Sequence, residues 1–209
     1  MMFKLVDNYA IETPAECVIN SANGLLMHDS SGAGRIRECS SECEELLFKN
    51  VFMKLPLDMQ EFITIRSKEH NWKPRFANQT AAELVYKNKN PFSLGDAIYD
   101  ELLSKDLGKH IIHAITLSYD TTTTPVKRIL GNEESIYESY TKALRLAHNL
   151  ECKSVAFPIP IAREGYGLNP EKSYIIIEDI LEKHAKKDVT YYLCFDNTDT
   201  KKLLKKLQE

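Results

Sequence analysis

The sequence predicts an α/β protein, a three-layer α/β/α sandwich, on three observations. Short apolar runs that hardly alternate recur at Cys17-Val-Ile, Ile111-Ile-His-Ala-Ile115, Ser154-Val-Ala-Phe157 and Thr190-Tyr-Tyr-Leu-Cys-Phe195. Strands buried on both faces, as in parallel sheets, have this pattern. Stretches with apolar residues three to four apart lie between them, and strand–helix alternation puts helices on the faces of the sheet.

Taken in order, the first run is a buried strand over 17–19 that stops at Asn20 and Asn23. A loop of small residues comes next, Ser30-Ser-Gly-Ala-Gly34, and an amphipathic helix begins near Arg35. Strand, polar turn, small-residue loop and helix start suit a phosphorylated ligand. Loop amides and a helix N-terminus donate to an anion, while asparagine both donates and accepts. Residues 45–90 break the rhythm and read as an insertion of one or two helices, with a lid among the roles open to it. Residues 121–125, four threonines and a proline, form a turn. A helix over 133–150 buries Ile136, Tyr140, Leu144 and Ala147. Another over 171–184 does so with Ile175, Ile176, Ile180 and Leu181, entered through Asn169 as cap and Pro170 at its first position. The terminal 201–207 segment is a surface helix with a lysine face.

The bulk composition excludes some classes. A chain of 209 residues makes one domain with an adequate core. With 43% hydrophobic and 27% charged residues and a net charge of −3, nothing points to nucleic acid or an anionic membrane as partner. No apolar stretch approaches the ~18 residues of a membrane span, and no signal peptide is visible. Five cysteines without paired spacing suit reduced thiols. The expectation is a cytoplasmic protein, or an effector secreted without a signal peptide. Gly32-Ala-Gly34 begins a dinucleotide fingerprint, but Arg37 stands at its third glycine. Cys39, Cys43 and His28 make an incomplete zinc set. His113 reads as a core histidine.

Four segments, in order, resemble the macrodomain family. Val18-Ile-Asn-Ser-Ala-Asn23 matches its VNAAN signature, and Gly34 and Ile36 fall where its first helix has glycine and isoleucine. Lys109-His-Ile-Ile-His113-Ala resembles KYVIHAVGP, 135–150 the helix after it, and Lys153-Ser-Val-Ala-Phe-Pro158 resembles KSIAFP. The likeness extends to a closing strand over 189–195 and a last helix over 198–207, and misses about 45–90. It implies a single macrodomain-like domain with a helical insertion that binds ADP-ribose or ADP-ribosylated protein and needs no cofactor or metal. It also implies hydrolysis of an ADP-ribosyl or O-acyl-ADP-ribose linkage. A non-catalytic ADP-ribose reader, or a scaffold with a diverged pocket used for protein interaction, are the alternatives.

The resemblance also distributes roles. From the residues alone Asn23 reads as a turn former; in the family its counterpart lies beside the distal ribose, which makes it the catalytic candidate. Asn20 ties strand to loop. Ser30, Ser31, Gly32, Ala33 and Gly34 are the first phosphate cradle, where glycines let amides approach with positive φ. Arg163, Glu164, Gly165, Tyr166 and Gly167 are the second, with an ordinary tight loop as the other reading. Asp7 is the nearest match to the family's adenine-binding aspartate. The departures are His28-Asp-Ser-Ser31 in place of glycines, Ala33 where many members carry a catalytic aspartate, and Arg163-Glu164 in place of Thr-Gly.

Overall fold

The computed structural model describes residues 3–24, 31–40, 57, 92–120, 127–159 and 168–208. The insertion expected over 45–90 and the turn over 121–125 lie outside these, apart from Leu57. The strands are β1 (Phe3–Val6), β2 (Cys17–Asn23), β3 (Ala97–Asp100), β4 (His110–Asp120), β5 (Lys127–Leu130), β6 (Ser154–Pro158) and β7 (Thr190–Cys194). The helices are α1 (Ser31–Cys39), α2 (Glu101–Leu107), α3 (Glu133–Asn149), α4 (Pro170–His184) and α5 (Thr198–Gln208), with a 3-10 turn at Ala10–Glu12.

One sheet of order β1-β7-β6-β2-β4-β3 carries the fold, and β5 also pairs with β4. Its centre is parallel, as the apolar runs predicted, while β3 and β5 are antiparallel to β4. These two strands escape the sequence pattern because each is four residues long and neither is an unbroken apolar run. Side chains alternate between two cores, which makes the three layers. Cys17, Ile19, Val155, Phe157, Tyr191 and Leu193 face Tyr140 and Leu144 of α3, Ile177 and Ile180 of α4, and Leu203 of α5. Val18, Ala22, Ile111, Ile115 and Ala156 face the 3-10 turn, Ile36 of α1 and Leu103 of α2.

Three sequence expectations change. The strand from Cys17 does not stop at Ile19 but runs through Asn23, because β4 continues to offer it a ladder. The helix expected near Arg35 starts at Ser31, so Ser31 to Gly34 form its first turn rather than a loop. In α4 the buried apolar positions are Ile177, Ile180 and Leu181, whereas Ile175 is 59% exposed, so the inward stripe is rotated from the one predicted. The caps of α4 are as read: Asn169 Oδ1 accepts from the Lys172 amide at 2.8 Å, with Pro170 first in the helix. Cys17, Cys39, Cys152 and Cys194 are free thiols. A hydrogen bond to Cys152, together with burial, pushes the Cys17 thiol up and keeps it protonated in the core.

Candidate functional site

β2 and β6 are neighbours in the sheet and parallel. After β2 the chain goes to α1 on one face, and after β6 it goes to α4 on the other. Loops leaving adjacent strands in opposite directions open a crevice at the strands' carboxyl ends, where open α/β sheets bind ligands. Asn23 is the last residue of β2 and lies at this crevice, 6% exposed.

The strand end is shaped by a bulge. Ala22 pairs with Ile115, but Asn23 pairs with Leu117, so Thr116 is an extra residue on β4. A bulge leaves its extra residue outside the ladder and bends the strand beyond it, re-aiming nearby side chains. Here Thr116 takes up other partners: its hydroxyl meets Ser21 Oγ at 2.8 Å and donates to the Ala22 carbonyl at 3.3 Å. The Gly24 amide donates to the Leu117 carbonyl at 2.8 Å, closing the turn behind Asn23. The Thr116 carbonyl accepts from the Gly131 amide at 3.0 Å, and a Cβ on Gly131 would lie inside van der Waals contact with that oxygen. The sequence reading missed both residues. Gly131 was visible as a glycine just ahead of a helix cap, but Thr116 carries no signal without the bulge.

Asn20 is 3% exposed and belongs to a buried polar chain. Its Nδ2 donates to His113 Nδ1 at 3.1 Å, His113 Nε2 donates to Asp100 Oδ2 at 3.2 Å, and Asp100 Oδ1 accepts from the Leu103 amide as the cap of α2. With the amide nitrogen as donor, the neutral imidazole keeps its proton on Nε2. This chain ties β2 to β4 beneath α1 and α2, with His113 in the core as expected and the Asn20 amide engaged inside the fold.

Gly32, Ala33 and Gly34 lie in the first turn of α1, where free N–H groups and the helix dipole favour an anion. Positive φ among the described glycines occurs at Gly95 and Gly108, not at Gly32 or Gly34. The conformation expected for the first cradle is therefore replaced by helical backbone. A Cβ on Gly32 would meet Asp196 Oδ2 at 3.5 Å, an ordinary van der Waals contact, so packing does not require glycine there. Ser31 opens α1; Ser30, Arg163, Glu164, Gly165, Tyr166 and Gly167 lie outside the described residues.

Two carboxylates lie just beyond the neighbouring strands. Asp7, just past β1, is 56% exposed and paired with Lys201 of α5 at 2.6 Å. Asp196, just past β7, is 8% exposed, and the sequence reading did not single it out. Burial pushes its carboxyl up; the Asn197 amide, its own backbone N–H and the Lys201 charge pull the other way. Asn197 Nδ2 donates to Asp196 Oδ1 at 2.9 Å.

Comparison with known proteins agrees with this layout. The Macro domain family model matches residues 74–177. No curated protein matches the chain by sequence. Among solved structures, the macrodomain of Mycobacterium tuberculosis DarG is similar at 13% identity and TM-score 0.59, with 92% of this chain and 97% of that one covered. The Oceanobacillus iheyensis macrodomain with ADP is 17% identical with TM-score 0.57, over 98% and 88%. The Trypanosoma brucei macrodomain in complex with ADP-ribose is 14% identical with TM-score 0.56, over 98% and 68%. With the Macro domain model matched over residues 74–177 and the three-layer arrangement shared with solved macrodomains, this chain has the macrodomain fold.

Proposed function

We propose that this protein binds ADP-ribose, free or attached to protein, in the crevice between β2 and β6, and hydrolyses an ADP-ribosyl or O-acyl-ADP-ribose linkage there. The observation that carries the reading is Asn23, nearly buried at the carboxyl end of β2 where the register shifts at the Thr116 bulge. An amide at that place donates and accepts without adding charge next to a diphosphate. It suits holding the distal ribose hydroxyls or the attacking water. The first turn of α1 offers the diphosphate its amides and dipole, and solved macrodomains of the same fold include complexes with ADP-ribose and ADP. One sequence feature favours a second reading, a binder without turnover: Ala33 stands in the first turn of α1, where many macrodomains carry a catalytic aspartate.

Titration calorimetry with ADP-ribose separates these. A micromolar-scale constant, roughly −8 kcal/mol, is expected, with AMP weaker. In a hydrolase, Asn23→Ala lowers turnover ~100-fold or more while weakening ADP-ribose binding by only ~1 kcal/mol, because the side chain acts mainly in the transition state. Wild-type protein that binds ADP-ribose but releases none from mono-ADP-ribosylated protein, and cleaves no O-acyl-ADP-ribose, is a reader. Absence of heat or thermal shift at millimolar ADP-ribose refutes both.

A further inference from the structure

Two thiols meet at the amino ends of β2 and β6, the end of the sheet opposite the crevice. Cys17 opens β2 and Cys152 stands in the turn between α3 and β6; both belong to the core on the α3 face, 0% and 3% exposed. Hydrogen bonds draw their flanks together. The Glu16 amide donates to Ser154 Oγ at 2.9 Å, and Glu16 Oε2 accepts from the Lys153 amide at 2.7 Å. Cys17 itself lies opposite Val155 in the ladder. The two thiols are hydrogen-bonded to each other, with Cys17 as donor, and this bond holds the Cys152 thiol below its usual range against burial and the Glu16 charge. Cys194 faces the other core and Cys39 is exposed on α1, which leaves both outside this pair.

The turn that carries Cys152 is the strained side of the contact. Glu151 has φ 57°, the one non-glycine residue with positive φ among the described residues, and a left-handed backbone is unfavourable for an L-residue. Cys17, by contrast, is fixed in a strand paired on both sides. Local opening begins in turns rather than in central strands, so a small oxidant reaches Cys152 first.

We propose that Cys17 and Cys152 are a redox pair, which a peroxide converts to a disulfide that staples β2 to β6. The Cys152 thiolate attacks one peroxide oxygen, the O–O bond breaks, and the departing hydroxide takes a proton to become water. The Cys17 sulfur then attacks the Cys152 sulfenic acid and displaces its oxygen, which leaves as a second water with the Cys17 proton. Two thiols are oxidised by two electrons and one peroxide is reduced. The ladder pairs between β2 and β6, Cys17 with Val155 and Val18 with Ala156, lie at this same end, so the staple fixes the closed end of the crevice. It also joins residues far apart in sequence, the arrangement that most restricts the unfolded chain.

The test treats the native full chain with hydrogen peroxide, alkylates the remaining thiols, and maps the digest by mass spectrometry without reduction. A peptide pair joining Cys17 to Cys152 is expected, with a melting temperature raised by about 5 °C or more; dithiothreitol should reverse both. Cys152→Ala should lose the rise, and Cys39→Ser should keep it. If peroxide oxidises Cys39 to completion while Cys17 and Cys152 stay reduced, the pairing is refuted, and a map joining either one to another cysteine refutes it equally. A Cys17–Cys152 disulfide that leaves the melting temperature unchanged or lower overturns the staple. These outcomes are read on the wild type and stand even if a variant fails to fold.

Discussion

Thr116 owes its reach to being one residue too many in β4. Because the bulge removes it from the ladder, its hydroxyl and carbonyl are available to Ser21, Ala22 and Gly131, in the turn of chain that leads into Asn23. Thr116→Val keeps the shape and removes the hydroxyl. It should cost about 1 kcal/mol of stability, measured by denaturant unfolding, and should weaken ADP-ribose binding or turnover, with Thr116→Ser restoring both. Asp196 gives a pH prediction. Burial raises its folded-state pKa above the ordinary 3.8, so its favourable contribution is complete below the unfolded value and is lost as pH rises through the folded one. At neutral pH the ionised group is a cost. Asp196→Asn should therefore melt higher than wild type at pH 7, with the advantage shrinking as pH falls toward 3.8; an equal advantage at every pH would contradict the burial argument. Asn23 was legible in the sequence because a motif spacing marks it. Asp196 was not: Phe195-Asp-Asn looks like any surface turn after a strand, and its burial comes from the folded chain around it.

At the scale of elements, the entry of α4 was legible at Asn169 and Pro170, whereas the start of α1 and the reciprocal cap of α3 were not. Asn132 accepts from the Ser135 amide at 2.8 Å while Ser135 Oγ accepts from the Asn132 amide at 3.0 Å, a reciprocal cap for α3. Asn132→Ala should cost about 1 kcal/mol. The α4 stripe was misplaced because Tyr174-Ile-Ile-Ile177 offers apolar residues at four consecutive positions, so periodicity alone does not fix its phase. The packed result leaves Ser173 Oγ and Thr141 Oγ1 buried with no hydrogen-bond partner among the described residues. Removing a hydroxyl in that condition relieves an unmet desolvation cost, so Ser173→Ala should stabilise by up to about 1 kcal/mol rather than destabilise; a lower melting temperature would show that the packing of the hydroxyl outweighs it. Gly95 has φ +82°, and a Cβ there would lie 2.6 Å from Glu138 Oε2. The strand it precedes, β3, was missed in the sequence, since an isolated glycine beside a four-residue strand leaves too little pattern to read.

For the molecule as a whole, the parallel centre of the sheet and its flanking helices were legible because burial on both faces leaves a direct trace in composition. The crevice was not, because it comes from β2 and β6 sending their chains to opposite faces, a relation between segments about 130 residues apart in a sequence read one window at a time. Topology has a further consequence at the far edge. Among the described residues β1 pairs only with β7, Phe3 opposite Tyr191 and Val6 opposite Cys194, and Asp7 is tied to Lys201. The earliest of these strands to leave the ribosome thus has no partner until nearly the last one has emerged. Throughout synthesis its ladder groups remain open to other chains, and the remainder of the sheet must nucleate without it. Chains released early, before residue 190, should accordingly be recovered as aggregates rather than as smaller folded monomers, a difference that size-exclusion chromatography of a 1–187 fragment would show directly.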